Sequence, residues 1–194
     1  MKHEQMRSFV LTALFIALIL LLGFTPIGMI PLGFIDISLL AVPVVIGTLL
    51  MGWKTGMALG FCFATVSALK ALGIMGAPSG LVAPVAAASP LLAIVMCYAP
   101  RLLVPVFSHL VYKIAARGGE KNIKAVPVAA AVGSLTNTVF FLGLMLLFYV
   151  LLGLDSAAVL GVIGGTGLIA GSLEAVANAV VSTAVLTALW KLKK

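Results

Sequence analysis

Three polar side chains, Arg101, Asn137 and Glu174, interrupt long apolar stretches of the sequence. A charge at the centre of a membrane-spanning helix costs about 2.5–3.5 kcal/mol on insertion scales, and sequences seldom carry it without a function or a partner. The planar fork of an arginine suits a carboxylate. Two compatible interpretations therefore stay open: an ion pair between Arg101 and Glu174 that fastens two helices, or a polar ligand pocket reached from outside.

Three further polar residues accompany this group in the predicted helices. Asn178 follows Glu174 by one helical turn on the same face, and Thr136 directly precedes Asn137. Lys70 lies near the end of another helix, where a lysine either extends to lipid headgroups or helps to attract an anion. At 1.5 Å per residue, Arg101 lies roughly 16 Å into its helix. We therefore expect the group to lie in the middle or outer-middle of the bilayer.

The sequence contains none of the common catalytic or metal-binding motifs. It has no phosphate-binding loop of the form G-x-x-x-x-G-K-[ST], no H-E-x-x-H and no G-x-S-x-G. His3 and His109 are isolated, and Cys62 and Cys97 lie in apolar runs, where they are interpreted as small core residues. We expect a protein that is not an enzyme, with no metal site and no cofactor.

The composition is that of an integral membrane protein. Of the 194 residues 63% are hydrophobic and 9% charged, and the mean hydropathy is +1.28, whereas an average soluble domain is about 25% charged. The apolar runs are long and continuous, which favours helices over a barrel of alternating strands. The net charge of +7 is attributed to membrane topology rather than to nucleic-acid binding.

The chain is predicted to form one all-α domain over residues 1–194, an integral membrane bundle of six transmembrane helices. Lysine and arginine collect at the termini and in alternate loops, so the positive-inside rule places both termini in the cytoplasm. A bend is expected at Pro43, irregular helix at Pro100 and Pro105, and loops over 24–34, 73–89 and 153–165. The predicted helices cover about 8–23, 35–51, 56–72, 90–116, 125–152 and 166–192.

Small residues recur every fourth position in three of these helices, which lets another helix approach closely. In the third and sixth helices we interpret the pattern as packing within the bundle. In the first helix, Ala13 and Ala17 face either inward or toward another protein. The patterns in the third and sixth helices are Gly56, Gly60 and Ala64, and Gly167, Gly171, Ala175 and Ala179.

Several segments, in this order, resemble the substrate-binding S component of an energy-coupling factor (ECF) vitamin transporter. They are ALFIA at 13–17, LAVPVVIG at 40–47 leading to GWKTG at 52–56, APRLLV at 99–104, GSLTNT at 133–138, and Glu174. The resemblance covers nearly the whole chain and is greatest to the pantothenate-type branch. It implies a multi-pass protein of a prokaryotic plasma membrane that binds a vitamin near its outer face, under the loops between helices 1 and 2 and between helices 3 and 4.

The resemblance also implies partners and residue roles. Ala13 and Ala17 would dock on a transmembrane scaffold (T) subunit, and two cytosolic ATPases would drive inward delivery of the vitamin. Arg101 would meet a carboxylate, Asn137 and Asn178 would bond amide or hydroxyl groups, and Glu174 would accept from hydroxyls or hold Arg101. Lys70 and Thr136 are further candidates. A stand-alone carrier or channel for a small anion, or an S component for another vitamin, remains the alternative.

Overall fold

The computed structural model describes residues 2–31, 35–116 and 122–191, and it is helical apart from one short hairpin. The hairpin consists of strands β1, Met29–Pro31, and β2, Asp36–Ser38. Two of the helices are preceded by a short turn, one of 3₁₀ type at Ile123–Ala125 and one of π type at Ile163–Gly167. The helices are α1, Lys2–Gly23; α2, Ala41–Met51; α3, Trp53–Ala71; α4, Val82–Ala88; α5, Pro90–Ala115; α6, Val126–Leu151; α7, Ser156–Val162; and α8, Leu168–Lys191.

Four helices of the described chain, α1, α5, α6 and α8, are long and apolar enough to cross a bilayer. Helix α2 has 11 residues, a length of about 16 Å, which is shorter than the hydrocarbon core of about 30 Å. Helix α3 has 19 residues but carries Lys54 and Lys70. The structure is thus an all-α bundle with four candidate spans, and the number six stays a prediction.

The outer surface of the bundle is apolar. Large hydrophobic side chains such as Phe9, Leu21, Leu168 and Val180 expose more than half of their surface. A soluble protein rarely exposes so much contiguous apolar surface, whereas in a bilayer lipid tails cover it. The buried side chains form two apolar clusters, one centred on α2 and α3 and the other on α5 and α6, to which α4 and α7 add two residues each.

The region between α1 and α2 corrects the predicted second helix. Residues 36–38 are not helical but pair antiparallel with β1, and Met29 faces Ser38 in the register. Pro43 lies in the first turn of α2, where its missing N–H costs no hydrogen bond, so the predicted bend is wrong. Pro100 and Pro105 lie inside α5, which continues through both, and the predicted irregularity there stays a prediction.

The two predicted loops on the same side of the bundle contain short helices. Helix α4 lies within 73–89, and α7 lies within 153–165, where the Asp155 side chain accepts a hydrogen bond from the Ala157 N–H at 3.0 Å. With the hairpin, these helices form the end of the bundle that we call the cavity end. The opposite end, called the basic end, carries Lys54, Lys124 and Lys191.

The small residues of α3 and α8 confirm the prediction of packing within the bundle. A Cβ on Gly60 would lie 2.8 Å from the Arg101 carbonyl oxygen of α5, and one on Gly171 would lie 2.9 Å from Thr138 Cγ2 of α6. In contrast, Ala13 and Ala17 are exposed, and only 11% of the apolar part of α1 is buried. That face of α1 therefore lies toward lipid or another protein.

The contact at Gly60 makes the Gly60→Ala variant less stable. Its new methyl group meets backbone, which cannot rotate away, so α3 and α5 must separate at a cost of about 1–3 kcal/mol. Gly143→Ala is the matched control. It also replaces a helical glycine by alanine, but the new Cβ has no atom within 4 Å. Thermal unfolding in detergent should show a lower midpoint for Gly60→Ala alone, and equal midpoints for both variants would contradict this packing.

Candidate ligand cavity

A cavity lies at the cavity end of the bundle, bounded by the hairpin, residues 78–82 and the helices α3, α5, α6 and α8. The empty space is about 740 Å³ with its open mouth included. Ligand sites in proteins are typically such clefts, mostly apolar with a few convergent polar groups. The polar residues that line it are Asp36, Ser38, Ser67, Lys70, Ser79, Arg101, Asn137, Thr138 and Glu174.

Arg101 is buried in the wall of the cavity without a carboxylate partner. It is only 7% exposed, and no salt bridge joins it to Glu174 or to any other acid of the described residues. Its Nη1 donates one long hydrogen bond of 3.4 Å to the Met96 carbonyl, while its Nε has no acceptor there. Of the two interpretations left open above, the ion pair with Glu174 is therefore not formed in this structure.

Two aromatic rings hold the guanidinium group in place. Its Cζ atom lies 4.5 Å from the centroid of the Phe141 ring and 5.3 Å from that of Phe63. Cation–π contacts of this kind offset part of the cost of a buried charge but leave the N–H groups available. Most of the donors of the fork thus stay unused beside the cavity, which is the arrangement that a ligand carboxylate requires.

Glu174 and Asn137 provide the main acceptor groups. The Glu174 carboxyl group faces the backbone of Ser38 and the side chains of Ser134 and Asn137. Its Oε1 nevertheless accepts no hydrogen bond from the described residues, and neither does Asn137 Oδ1. Both residues are buried. The two atoms are therefore free to accept hydrogen bonds from hydroxyl or amide groups of a ligand.

Unpaired polar atoms concentrate at this cavity. Each buried polar group without a partner costs about 1–3 kcal/mol, so native proteins contain few of them. Five of the eight residues that carry such atoms in the described chain also line the cavity, which indicates a site for a polar ligand rather than a fault of packing. These five are Ser38, Ser67, Arg101, Asn137 and Glu174.

Lys70 also lines the cavity, but neither of the two predicted roles describes its contact. Its Nζ lies 2.9 Å from Asp36 Oδ2, and this pair is the one salt bridge within residues 2–31, 35–116 and 122–191. The lysine therefore points to strand β2 and not only to headgroups. Because Asp36 neutralises Lys70, the cation of the cavity that has no salt bridge is Arg101.

Thr136 and Asn178 lie outside the cavity. The Thr136 hydroxyl donates to the Val132 carbonyl of its own helix at 2.7 Å, and Asn178 Oδ1 accepts from Ser182 Oγ at 2.8 Å. Of the six predicted binding residues, the cavity brings together Arg101, Asn137, Glu174 and Lys70. Sequence reasoning missed Ser38, Ser67 and the aromatic Phe141, which also line the cavity. Of these, Phe141 could have been inferred, because it lies four residues after Asn137 and therefore on the same face of the helix.

The described residues contain no cluster of histidine, cysteine or carboxylate groups that could hold a metal ion. The remaining wall is apolar and includes Met29, Ile35, Val82 and Leu142. The cavity can therefore hold a small molecule with an acidic group near Arg101, hydroxyl or amide groups near Asn137 and Glu174, and a compact apolar part.

Comparison with known proteins identifies the family of the chain. The sequence pattern of the ECF transporter, substrate-specific component family matches residues 7–191. The chain belongs to this family of ECF transporter substrate-binding components, which are transporter subunits and not enzymes. A similar protein is the pantothenic acid transporter PanT of Lactococcus lactis subsp. cremoris (strain MG1363), which is 29% identical over 163 residues, covering 79% of this chain and 78% of the relative.

Proposed function

We propose that this protein is the S subunit of an ECF transporter that binds pantothenate from outside the cell and delivers it inward. The observation that carries the proposal is the buried guanidinium group of Arg101, which faces the cavity without a carboxylate partner. A ligand carboxylate could accept two parallel hydrogen bonds from this guanidinium group and so supply the missing partner. The named function of the relative PanT supports pantothenate as that ligand.

The chemistry of pantothenate matches the other groups of the cavity. The molecule has a carboxylate at one end, an amide in the middle, and two hydroxyl groups beside a branched apolar carbon at the other end. We infer that Arg101 binds the carboxylate and that Asn137 and Glu174 accept hydrogen bonds from the amide or hydroxyl groups. Ser38 and Ser67 have unpaired hydroxyls for the same purpose. The proposed roles of Thr136 and Asn178 become indirect, because neither lines the cavity.

The proposed topology follows from the distribution of charge. The basic end carries Lys54, Lys124 and Lys191, so the positive-inside rule places it in the cytoplasm with both termini. The cavity end then faces the outside of a prokaryotic plasma membrane. In this arrangement two segments join the four long helices to make six. One is α3, and the other is α2 together with the hairpin, because α2 alone is too short to cross the bilayer.

The proposed partners are a transmembrane scaffold (T) subunit and two cytosolic ATPase subunits. Membership of the family supports such an assembly. The exposed Ala13 and Ala17 on the outer face of α1 support the docking surface, because small residues let a second helix come close in a membrane. The chain itself contains no phosphate-binding loop, so ATP hydrolysis would belong to its partners.

Uptake by reconstituted vesicles tests this function. Vesicles that contain this chain with an ECF scaffold and ATPase module should accumulate radiolabelled pantothenate only when ATP is supplied on the ATPase side. Vesicles with the chain alone should bind the vitamin without accumulating it. Accumulation by the chain alone would instead show a stand-alone carrier and would overturn the proposal.

A further inference from the structure

The ion pair between Asp36 and Lys70 connects strand β2 to the last turn of α3 at the cavity. The distance from Nζ to Oδ2 is 2.9 Å, and the two side chains expose 18% and 19% of their surface. Both residues line the cavity. The pair therefore lies at the boundary between the binding groups and the solvent.

Strand β2 carries a second residue of the cavity wall on the same side as Asp36. Side chains two positions apart in a strand point to the same face, and Ser38 follows Asp36 by two. Ser38 has an unpaired buried hydroxyl, and its backbone faces the Glu174 carboxyl group. The position that the ion pair gives to Asp36 thus also places Ser38 against Glu174.

The other outer part of the cavity wall is held in a different way. The Tyr149 hydroxyl donates a buried hydrogen bond of 2.8 Å to the Leu81 carbonyl. Leu81, Val82 and Val85 also belong to an apolar cluster. These contacts are shielded from water and ions, whereas the partly exposed pair of Asp36 and Lys70 is weakened by salt. Ile37 of β2 and the preceding Ile35 also pack against this cluster, but of the two outer parts β2 is the one that is also held by a partly exposed ion pair.

We propose that Asp36 and Lys70 are positioning residues whose ion pair holds strand β2 over the ligand cavity, and that loss of the pair opens the cavity to solvent. The consequence for vitamin retention rests on the proposed function. The opening itself does not, because it can be measured in the ligand-free protein.

Cys97 provides the reporter for this opening. It is buried and lines the cavity, whereas Cys62 does not line it and can be replaced by serine. The experiment measures the rate at which methyl methanethiosulfonate modifies Cys97 in the purified Cys62→Ser protein. This reagent is small and uncharged, so its approach is insensitive to the charges that the variants remove.

Three variants of the Cys62→Ser protein separate loss of the ion pair from loss of a charge. Asp36→Asn/Lys70→Met removes both charges and keeps the net charge, and Asp36→Lys/Lys70→Asp reverses them. We expect the neutral pair to raise the Cys97 modification rate about five- to tenfold, the size typical of losing a partly buried ion pair. The reversed pair should restore the slow rate. Asp155→Asn, which removes an exposed acid at the same end of the bundle, should not reproduce the effect of the neutral pair.

Salt provides a test that needs no variant at the pair. Raising the ionic strength should speed Cys97 modification when Asp36 and Lys70 are present and leave the neutral pair unchanged. Equal rates for the parent protein and the neutral pair, or a neutral pair that keeps the salt dependence, would overturn the proposal.

Dissociation of pantothenate supplies the last result. If the parent protein binds pantothenate, the neutral pair should release it about five- to tenfold faster, and an unchanged release rate would overturn the positioning role. If the parent protein binds no pantothenate while the Cys97 rates follow the expected pattern, the proposed function fails and the ion-pair proposal stands. The two proposals can therefore fail separately.

Discussion

The Arg101→Met variant should lose pantothenate binding and at the same time become more stable without ligand. Removing one partner of a buried charge pair between protein and ligand costs about 2–5 kcal/mol, which corresponds to about 30-fold or more in affinity. The stability gain has a separate cause. In the ligand-free protein Arg101 is a buried charge with no salt bridge, and an apolar side chain of similar length avoids that cost.

Two controls accompany this variant. Lys113→Met removes a cation from the exposed end of the same helix and should change neither binding nor unfolding by a comparable amount. Arg101→Lys keeps the charge but loses the planar fork, so it should bind more weakly than the parent protein. Calorimetric titration and thermal unfolding of the ligand-free protein measure the two effects. Unchanged affinity in Arg101→Met, or a fall in both affinity and stability, would contradict the role given to Arg101.

The neighbouring residues Asn137 and Thr136 should differ strongly when each is replaced by alanine. Asn137→Ala leaves a buried ligand group without its partner, at a cost of about 1–3 kcal/mol, or about five- to 150-fold in affinity. Thr136→Ala removes a hydroxyl that bonds only the carbonyl of Val132 in its own helix, outside the cavity. Its affinity should stay within about twofold of the parent protein.

The comparison of these two alanine variants is informative because they differ by one position in the same helix. Calorimetric titration with pantothenate gives both affinities, and thermal unfolding confirms that each variant is folded. Equal losses in both variants would show that the cavity is not the binding site. A loss confined to Thr136→Ala would show that the ligand lies on the other face of α6.

The long helices were predictable from the sequence because lipid imposes a simple condition on them. A segment that crosses the bilayer must satisfy its own backbone hydrogen bonds and present apolar side chains. The predicted segments at 90–116 and 125–152 therefore differ by at most one residue at each end from Pro90–Ala115 and Val126–Leu151. The apolar runs and the breaker and polar residues beside them were sufficient to predict these limits.

The short elements at the cavity end were not predictable in the same way. A brief apolar run fits a strand, a short helix or a loop equally well by periodicity. The segment 35–38 has the sequence IDIS and directly precedes the apolar run of α2. It is predicted as the start of that helix, yet residues 36–38 form β2 through pairing with Met29–Pro31. The pair of Asp36 and Lys70 depends on the same tertiary contact, which no local pattern contains.

The candidate site shows the same limit at the level of single side chains. The depth of Arg101, Asn137 and Glu174 could be estimated from helix rise, and all three line one cavity. The side of α6 that faces the cavity could not be predicted, because each step of one residue turns the side-chain direction by about 100° around the helix axis. The cavity therefore includes Thr138 and not Thr136. Asn178 shares a face with Glu174 but lies one turn beyond the cavity.

Calorimetric titration of the purified protein with pantothenate, pantothenol and a panel of other vitamins tests the central claim most directly. Pantothenol replaces the carboxylate of pantothenate with an alcohol and keeps the rest of the molecule. We predict saturable, tight binding of pantothenate, with pantothenol at least about 30-fold weaker because it leaves Arg101 without its anion. Equal binding of the two compounds, or no binding of pantothenate, would contradict the account.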